Sequence, residues 1–287
     1  MTEKLSDLLG GLLDAATETP EAILAKYPAR PAGQIVTRFG PSPTGFLHIG
    51  SAFASLVSER VAHTAPNGVF MLRIEDTDTE RSIEGAAELI ATGLGRFDIK
   101  ADEGLLPDGT IAGDYGPYIQ SDRKPLYQAF VKQLLDEGKA YPCFATKEDL
   151  DALRAKQRAL SVPTGYYGKY ATWRNASLEQ VKEALAAGKE YVIRFKATAT
   201  AEDKASFHDA VRGDLQMGDN YIDAVIIKSD GLPTYHFAHV VDDHLMGTSH
   251  VLRADEWIAS VPLHLQMFAA MNWQPPVFGH ISAIQKI

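Results

Sequence analysis

The sequence predicts an α/β fold in which a parallel sheet is covered by helices on both faces. A strand-like stretch at 35–39 leads into a helix-like stretch at 49–61, and the same order recurs at 68–74 and 83–97. Strands that alternate with helices are typical of parallel sheets, because each helix returns the chain to the start of the next strand. The 287 residues suggest about two domains, at roughly 150 residues for each.

Four segments are predicted along the chain from changes in its texture. Residues 1–33 form a helical extension and linker, since leucines recur there at helical spacing before the Pro- and Gly-containing stretch 29–33. Residues 34–117 form the first half of the α/β core, and residues 225–287 form its second half. Residues 118–224 have a mixed α+β texture and are predicted to be an inserted domain.

The remaining elements follow from capping and turn signals. Thr146 and Ser177 each open a capping-box sequence, in which the side chain at the helix start bonds to a backbone amide three residues on. Gly188 suits the end of the second of these helices, and Pro125 suits the first turn of an earlier one. The other predicted elements are a helix at 125–137, strands at 191–196, 221–228, 234–241 and 249–253, and a helix at 256–272.

Charge, cysteine content and hydropathy exclude several classes of protein. The net charge of −9 weakens non-specific attraction to nucleic acid, so such a partner has to be held by a local basic patch. The single cysteine, Cys143, excludes an internal disulfide and any multi-cysteine zinc cluster. No apolar run reaches the roughly 20 residues that span a bilayer, and the N-terminus lacks the basic and apolar blocks of a signal peptide. A cytoplasmic protein is therefore expected.

The stretch "RFGPSPTGFLHIGS" at 38–51 forms a rigid corner between the first predicted strand and helix. Gly45 and Gly50 leave room for a ligand to approach the backbone, while Pro41 and Pro43 keep the loop open. The helix that follows directs free amides and the positive end of its dipole toward the corner, as in anion-binding sites. His48 lies at the start of that helix and can donate to a phosphate oxygen. From these residues, a nucleotide site and an ordinary tight turn with a surface histidine are equal alternatives.

Five ordered stretches carry a resemblance to a known family. The corner contains His48-Ile49-Gly50-Ser51, which is similar to a His-Ile-Gly-His motif. The others are "RIEDTD" at 73–78, "GPYIQSDR" at 116–123, "KSDGLPTYHFAHVVDDHLMG" at 228–247 and "HVLRADEW" at 250–257. By these motifs the chain is identified as a member of the class I aminoacyl-tRNA synthetases, and it resembles the glutamyl-tRNA synthetases among them. The resemblance implies a Rossmann-like class I synthetase catalytic core with an inserted α+β domain that binds the acceptor arm of tRNA.

The resemblance also implies a reaction and a set of site residues. The full enzyme joins L-glutamate to ATP, supplied with Mg2+, and then passes the glutamyl group to the 3′ end of tRNA(Glu). The expected catalytic positions are His48, Gly50 and Ser51. The expected ATP-binding residues are Gly40, Pro41, Thr44, Gly45, His48, Gly50, Glu256 and Trp257. The expected glutamate-binding residues are Arg38, Ser42, Glu75, Tyr235, His239 and Arg253.

The glutamate-binding residues have chemical reasons for their roles. Glu75 resembles the residue that binds the substrate ammonium, with a carboxylate paired to Arg73 as the alternative. The planar guanidinium of arginine suits a carboxylate, and Arg38 is expected at the carboxylate of the substrate side chain. From the residues alone, an ordinary ion pair is an equal alternative for both Arg38 and Arg253. Tyr235 and His239 lie four residues apart and would share one face of the predicted strand. The protonation state of His239 is expected to bear on the choice of glutamate over glutamine, with a core histidine as the alternative.

No metal ligands are expected in the protein itself. The resemblance implies that Asp242-Asp243-His244 is a scaffold that orients the substrate loop. A metal site at these residues is the less favoured alternative. Zinc-bearing relatives carry Cys-x-Cys where this chain has Cys143-Phe144-Ala145. One thiol cannot hold a structural zinc, so no structural zinc is expected. For Trp257, the alternative to a contact with adenosine is a buried tryptophan at a helix start.

Basic residues of the inserted domain are the expected tRNA contacts. The set, with a solvated helix face as the alternative for at least half of it, is Arg154, Lys156, Arg158, Lys169 and Arg174. The acidic net charge predicts weak tRNA binding by this chain alone. A monomer without a membrane partner is expected.

The end of the sequence bears on which of three functions applies. The chain stops at "HISAIQKI", before the position of the family's Lys-Met-Ser-Lys-Ser loop and its helical anticodon-binding domain. The expectation is therefore a fragment of a longer glutamate–tRNA ligase or a reduced relative. The alternatives are a truncated paralogue that glutamylates a modified tRNA base, and a non-catalytic module that binds glutamate and nucleotide.

Overall fold

The computed structural model describes residues 4–282, apart from 46 and 79, together with residue 284. The strands are β1 (Val36–Phe39), β2 (Val69–Leu72), β3 (Glu103–Leu105), β4 (Ile111–Ala112), β5 (Ala140–Cys143), β6 (Val192–Phe195), β7 (Lys204–Asp209), β8 (Gly213–Gly218), β9 (Val225–Ile227), β10 (His250–Ala254) and β11 (Val277–Ile281). The α-helices are α1 (Leu5–Leu8), α2 (Pro20–Leu24), α3 (Ile49–Ala62), α4 (Ala86–Arg96), α5 (Lys124–Asp136), α6 (Lys147–Ala159), α7 (Leu178–Ala186), α8 (Tyr235–Leu245) and α9 (Val261–Ala270). The fold is therefore α/β, as the alternation of strands and helices predicts.

Parallel strands form the centre of the molecule. Strand β2 pairs in parallel with β1 and β3, and strand β11 pairs in parallel with β10 and β7. The two sheets meet at Ser249, whose amide donates to the carbonyl of Val36 at 2.9 Å and whose hydroxyl accepts from the amide of Val36 at 2.7 Å. Strand β1 thus lies between β2 and β10, where the order of the chain across the sheets reverses.

Antiparallel strands extend these sheets beyond the prediction. Strand β4 pairs antiparallel with β3, and strand β8 pairs antiparallel with β7. A separate antiparallel sheet has the order β5-β6-β9. Strands β7 and β8 lie within the segment 118–224, yet β7 continues the sheet of β10 and β11. The boundaries of the inserted domain stay a prediction.

Local signals explain where several helices begin and end. Thr146 and Ser177 form the predicted capping boxes, with Asp149 and Gln180 bonding back to the cap amides. Gly188 follows α7 with a φ of +67°, a conformation that glycine adopts without strain. The predicted helix at 256–272 divides into a 3-10 turn, Asp255–Ser260, and α9. These caps confirm the sequence signals to within a few residues.

The predicted strand at 234–241 is wrong, because these residues lie in α8. Eight of the eleven residues of α8 are buried, among them His239, Asp242 and Asp243, so burial in this helix is not confined to one apolar stripe. The aromatic and β-branched residues of this stretch favoured a strand. Tyr235 and His239 still share a face, since residues four apart in a helix lie one turn from each other.

The N-terminal segment is part of the packed molecule. Leu9, Leu13 and Ile23 are fully buried in the same apolar cluster as residues of α5, α8 and α9. The side-chain amide of Gln128 holds the backbone of this segment, accepting from Ala15 N at 2.9 Å and donating to the carbonyl of residue 12 at 2.9 Å. The leucine pattern predicted a helix here, but not this burial. Among the residues that the structure describes, no helix combines the length and apolarity needed to cross a membrane.

Replacing Leu13 by alanine is expected to lower the free energy of unfolding of the whole chain by about 2–5 kcal/mol, because a fully buried side chain leaves a cavity. Urea denaturation measures this loss. Leu24→Ala, at a side chain that is 36% exposed, is the matched control and should cost much less. Equal, small effects of the two substitutions would contradict the packing of the N-terminal segment.

The ion pairs of His63 predict that its contribution to the stability of the fold depends on pH. Its Nε2 lies 2.8 Å from Asp102 Oδ2 and its Nδ1 lies 3.0 Å from Glu59 Oε1, which ties the end of α3 to the turn before β3. The hydrogen bond to Asp102, against the opposing effect of burial, raises the pKa of His63. The stabilisation is therefore present below the unfolded pKa and is lost as the pH rises through the folded pKa.

The variant His63→Gln should accordingly lose more stability relative to the wild type at about pH 5.5 than at about pH 9, on either side of the usual pKa of about 6.5. Urea denaturation at the two pH values gives the difference. A loss that is the same at both, or larger at the higher pH, would show that protonated His63 does not stabilise the fold.

Candidate active site

The predicted site residues converge where ligands usually bind in α/β sheets, at the carboxyl ends of the strands beside the point where strand order reverses. The corner follows β1, Glu75 follows β2, and the 3-10 turn Asp255–Ser260 follows β10. A cleft of about 450 Å³ opens at this edge. Ser42, Glu75 and Tyr235 line it directly. The structure thus brings together residues that are as much as 193 positions apart, since 235 − 42 = 193.

Asp242 is a fully buried carboxylate on α8 with several donors. Its Oδ1 accepts from Arg123 Nε at 2.7 Å. Its Oδ2 accepts from the hydroxyl of Tyr127 at 2.8 Å and from Gln120 Nε2 at 2.8 Å. Arg123 is itself fully buried. Removing water from a charge is costly unless it is paired and hydrogen-bonded, and these donors meet that need.

The next residue, Asp243, holds two further arginines. Its Oδ1 accepts from Arg73 Nη1 at 2.7 Å and from Arg38 Nε at 3.2 Å. Burial alone would raise the pKa of Asp243, but Arg38, His239 and Arg73 together hold it well below its usual range. The adjacent aspartates therefore act as scaffold, in agreement with the role that the resemblance implies.

Glu75 is paired within the protein and also lines the cleft. Its Oε1 accepts from Arg73 Nη2 at 2.8 Å, which is the alternative pairing considered from the sequence. Its side chain lies over Gly40, where any Cβ would collide with the same oxygen. Burial, against the opposing effect of Arg73, raises the pKa of Glu75. A cationic ligand group in the cleft would relieve that burial cost.

Arg38 and His239 lie behind Tyr235. Arg38 Nη2 is 3.1 Å from His239 Nδ1, and the rings of His239 and Tyr235 stack with centroids 5.6 Å apart. Burial is the main cause that lowers the pKa of His239 to about 3, against the opposing effect of Asp243. His239 is therefore neutral at pH 7, so its predicted role in selectivity is confined to an uncharged ring. Its Nε2 has no hydrogen-bond partner within the described part of the chain.

Arg253 lies near the hydroxyl of Tyr235. Its Nη1 lies 3.4 Å from the hydroxyl of Tyr235, and its Nη2 lies 3.4 Å from the carbonyl of Trp257. Its Nε donates to His280 Nε2 at 3.0 Å. None of these partners is a carboxylate. The site therefore holds a buried guanidinium whose charge is unmatched by its hydrogen-bond partners, a setting that favours an anionic ligand group.

The corner residue His48 is turned toward its own helix. Its Nδ1 accepts from the amide of Ser51 at 3.3 Å, so the proton lies on Nε2 and points to the hydroxyl of Ser51 at 2.9 Å. The sequence predicted a side chain free to donate to phosphate. In the structure, His48 caps α3 instead, and a ligand must compete with Ser51 for its Nε2 proton.

The other predicted ATP-binding residues surround an open surface. Thr44 and Glu256 are exposed, and Pro41 and Trp257 are half-buried. A Cβ at Gly45 would meet no atom within 4 Å, whereas one at Gly50 would lie 3.2 Å from His48 Nδ1. The first turn of α3, a helix of 14 residues, carries amides without intrahelical partners, of which that of Ser51 donates to His48. Open space beside free amides fits a phosphorylated ligand.

The predicted tRNA contacts differ in their availability. Arg154, Lys156 and Arg158 are exposed on α6, with Arg154 and Arg158 one turn apart on the same side. Lys169 is exposed beside the ring of Tyr170. Arg174 differs from the prediction, because Asp223 and a backbone carbonyl hold its two terminal nitrogens inside the protein.

Several residues of the site were missed by sequence reasoning. Arg123 lies within a quoted motif, and its signal is a basic residue just before a predicted helix. Arg73 was considered only as a partner of Glu75. Lys228 also lies in a quoted motif, lines the cleft, and donates to the carbonyl of Thr77 at 2.8 Å. His280 lies outside the five motifs. Within the described part of the chain, no group of three or more histidine, cysteine or carboxylate side chains is placed to hold a metal ion.

Comparison with known proteins agrees with this geometry. The family of class I tRNA synthetases (E and Q), catalytic domain, matches residues 34–287. The glutamate–tRNA ligase of Sorangium cellulosum is 46% identical over 294 residues, covering 98% of this chain and 51% of that protein. The glutamate–tRNA ligase of Acetivibrio thermocellus is also 46% identical, covering 99% of this chain and 52% of that protein. The chain thus spans about half the length of the curated relatives it matches.

Solved structures show the same fold. A glutamate tRNA ligase from Elizabethkingia meningosepticum, in complex with its amino acid, is 38% identical with a TM-score of 0.79, covering 88% of this chain and 50% of that one. The glutamate–tRNA synthetase of Elizabethkingia anophelis is 38% identical with a TM-score of 0.80, covering 88% of this chain and 51% of that one. The chain therefore belongs to the class I tRNA synthetases (E and Q) and carries their catalytic domain.

Proposed function

We propose that this chain is the catalytic part of a glutamate–tRNA ligase, which activates L-glutamate with ATP and transfers it to tRNA(Glu). The observation that carries the proposal is that Arg38, Arg253 and Glu75 lie close to Tyr235. Arg38 contacts His239, whose ring stacks on Tyr235, and Arg253 Nη1 lies 3.4 Å from the hydroxyl of Tyr235. Glu75 and Tyr235 line the same cleft. Two guanidinium groups and one carboxylate complement a ligand with two carboxylates and one ammonium. Glutamate has that set of charges.

The charges assign roles to the three residues. Glu75 binds the ammonium. Arg73 donates to its Oε1, so its Oε2 is the oxygen that remains for a ligand in the cleft. Arg38 binds the side-chain carboxylate. Asp243 accepts from its Nε, and its Nη2 lies 3.1 Å from His239 Nδ1, which leaves Nη1 without a hydrogen-bond partner in the described chain and available to a ligand. Arg253 binds the other carboxylate. Tyr235 lies between the arginines and its hydroxyl can bond to either carboxylate.

The chemistry needs positioning more than it needs a protein nucleophile. An oxygen of the α-carboxylate attacks the α-phosphorus of ATP, the bond to pyrophosphate breaks, and glutamyl-adenylate forms. A ribose hydroxyl at the 3′ end of tRNA then attacks the acyl carbon and AMP leaves. Membership of the family implies ATP binding, and Mg2+ on the ATP phosphates neutralises charge there. The α3 amides and His48 hold phosphate oxygens, and fixed donors of this kind stabilise developing charge.

Recognition of tRNA is proposed for the exposed basic residues of α6. Arg154 and Arg158 present their charges on one side of the helix, which suits successive phosphates of an acceptor arm. The relatives are about twice as long as this chain, and the proposal concerns only the tRNA contacts made by this part.

The test is a calorimetric titration of the purified chain with a non-hydrolysable glutamyl-adenylate analogue and with its glutaminyl counterpart. The glutamyl analogue should bind more tightly, because two cationic groups face its carboxylates. Arg38→Ala should weaken its binding by roughly 10- to 100-fold, the usual effect of losing a hydrogen bond to a charged group.

Arg60→Ala is the control, since the Arg60 side chain is exposed on α3. A folded chain that binds neither analogue, or binds both alike, would contradict the proposed glutamate site. Binding of the glutamyl analogue without any glutamate-dependent exchange of pyrophosphate into ATP by this chain would instead favour the non-catalytic module.

A further inference from the structure

A buried aspartate and histidine lie directly behind Arg253, outside every residue predicted for the site. Asp209 is the last residue of β7, and His280 lies in β11. Both are fully buried. Asp209 Oδ2 is 2.5 Å from His280 Nδ1, and His280 Nε2 is 3.0 Å from Arg253 Nε.

The chemistry of the three groups fixes the position of the protons. A guanidinium Nε can only donate, so His280 Nε2 must accept and carries no proton. The proton of the neutral ring therefore lies on Nδ1 and is donated to Asp209. Burial is the main cause that lowers the pKa of His280, which keeps the ring neutral at pH 7. The chain of bonds runs in one direction, from Arg253 through His280 to Asp209.

Asp209 and His280 are held from several sides. Asp209 Oδ1 accepts from the amides of Val211 at 3.0 Å, Arg212 at 2.9 Å and His280 at 3.1 Å. Arg212 Nε donates to the carbonyl of His280 at 3.1 Å. These contacts fix the ring of His280 relative to both strands, so its Nε2 presents a lone pair at a defined point.

Arg253 depends on that point for its orientation. Its bond to His280 is the shortest of its contacts within the described chain, while its outer nitrogens lie 3.4 Å or more from Tyr235, Trp257 and His264. One edge of the guanidinium is thus anchored, and the other is left for a ligand.

We propose that His280, with its tautomer fixed by Asp209, is a positioning residue that orients Arg253 toward a carboxylate of the bound substrate. The inference rests on the proposed function, because it needs Arg253 to bind substrate. It adds residues of β7 and β11 to a site otherwise built at the ends of β1, β2 and β10 and on α8.

Two substitutions of His280 separate positioning from simple packing. The side-chain oxygen of His280→Gln can occupy the place of Nε2 and accept from Arg253, while the bond to Asp209 is lost. The side-chain amide of His280→Asn can occupy the place of Nδ1 and donate to Asp209, while Arg253 loses its acceptor. If His280 positions Arg253, His280→Asn should weaken binding of the glutamyl-adenylate analogue by on the order of tenfold to a hundredfold. His280→Gln should weaken it clearly less.

A double-mutant cycle tests whether the effect passes through Arg253. In an Arg253→Ala background, His280→Asn should cause little further loss of affinity, because the group it orients is absent. His208→Asn is the matched control. His208 is the exposed neighbour of Asp209 in β7, and this substitution should leave affinity unchanged. Circular dichroism and thermal melting confirm that each variant is folded.

Equal losses from the two His280 variants, a larger loss from His280→Gln, or full additivity with Arg253→Ala would overturn the proposal. The tautomer can also be measured in the wild-type chain by nitrogen NMR of the imidazole. A proton on Nε2 of His280 would overturn the proposal even if the variants failed to fold. Absence of binding by the folded wild type would overturn the proposed function instead. In that case the tautomer measured by NMR would still test whether His280 accepts from Arg253 and donates to Asp209.

Discussion

The structure of the site depends on the two adjacent carboxylates of Asp242 and Asp243 on α8. They are buried, and they accept from three arginines that come from β1, from the end of β2 and from the turn before α5. A buried charge that loses its partner typically costs about 3–5 kcal/mol. Asp243 therefore holds Arg38 and Arg73 in place, and Asp242 holds Arg123. Elements that are distant in sequence are thereby fixed at one point behind the cleft.

This arrangement also explains which charges are left for a ligand. Arg73 and Arg123 are used within the protein, and Glu75 shares one oxygen with Arg73. Arg38 gives one edge to Asp243, and Arg253 gives one edge to the neutral ring of His280. Arg253 Nη1 lies 3.4 Å from the hydroxyl of Tyr235, and Arg38 contacts His239, whose ring stacks on Tyr235. The proposed selectivity for an acidic amino acid rests on this partial pairing, and not on the overall charge of the chain, which is negative.

The sequence predicted the fold class and most elements because caps, glycines and strand–helix alternation are local signals. It placed α8 in a strand, since aromatic and β-branched residues favour strands and most of this helix is buried rather than one face of it. It also missed the burial of the N-terminal segment, because a leucine pattern predicts a helix without naming the surface that it covers. The family motifs located Arg38, Glu75 and Tyr235. The part played by Asp209 could not be predicted, since His280, the side chain that it fixes, lies 71 residues further along the chain.

The most direct test of the account is a crystal structure of this chain with the glutamyl-adenylate analogue bound. We predict that the side-chain carboxylate of the ligand binds the outer guanidinium nitrogens of Arg38 and that its ammonium binds Glu75. It also predicts that the bond between Arg38 and Asp243 remains in place. A ligand carboxylate bound elsewhere, or an Arg38 that leaves Asp243 to reach it, would show that the paired aspartates do not preorganise the site.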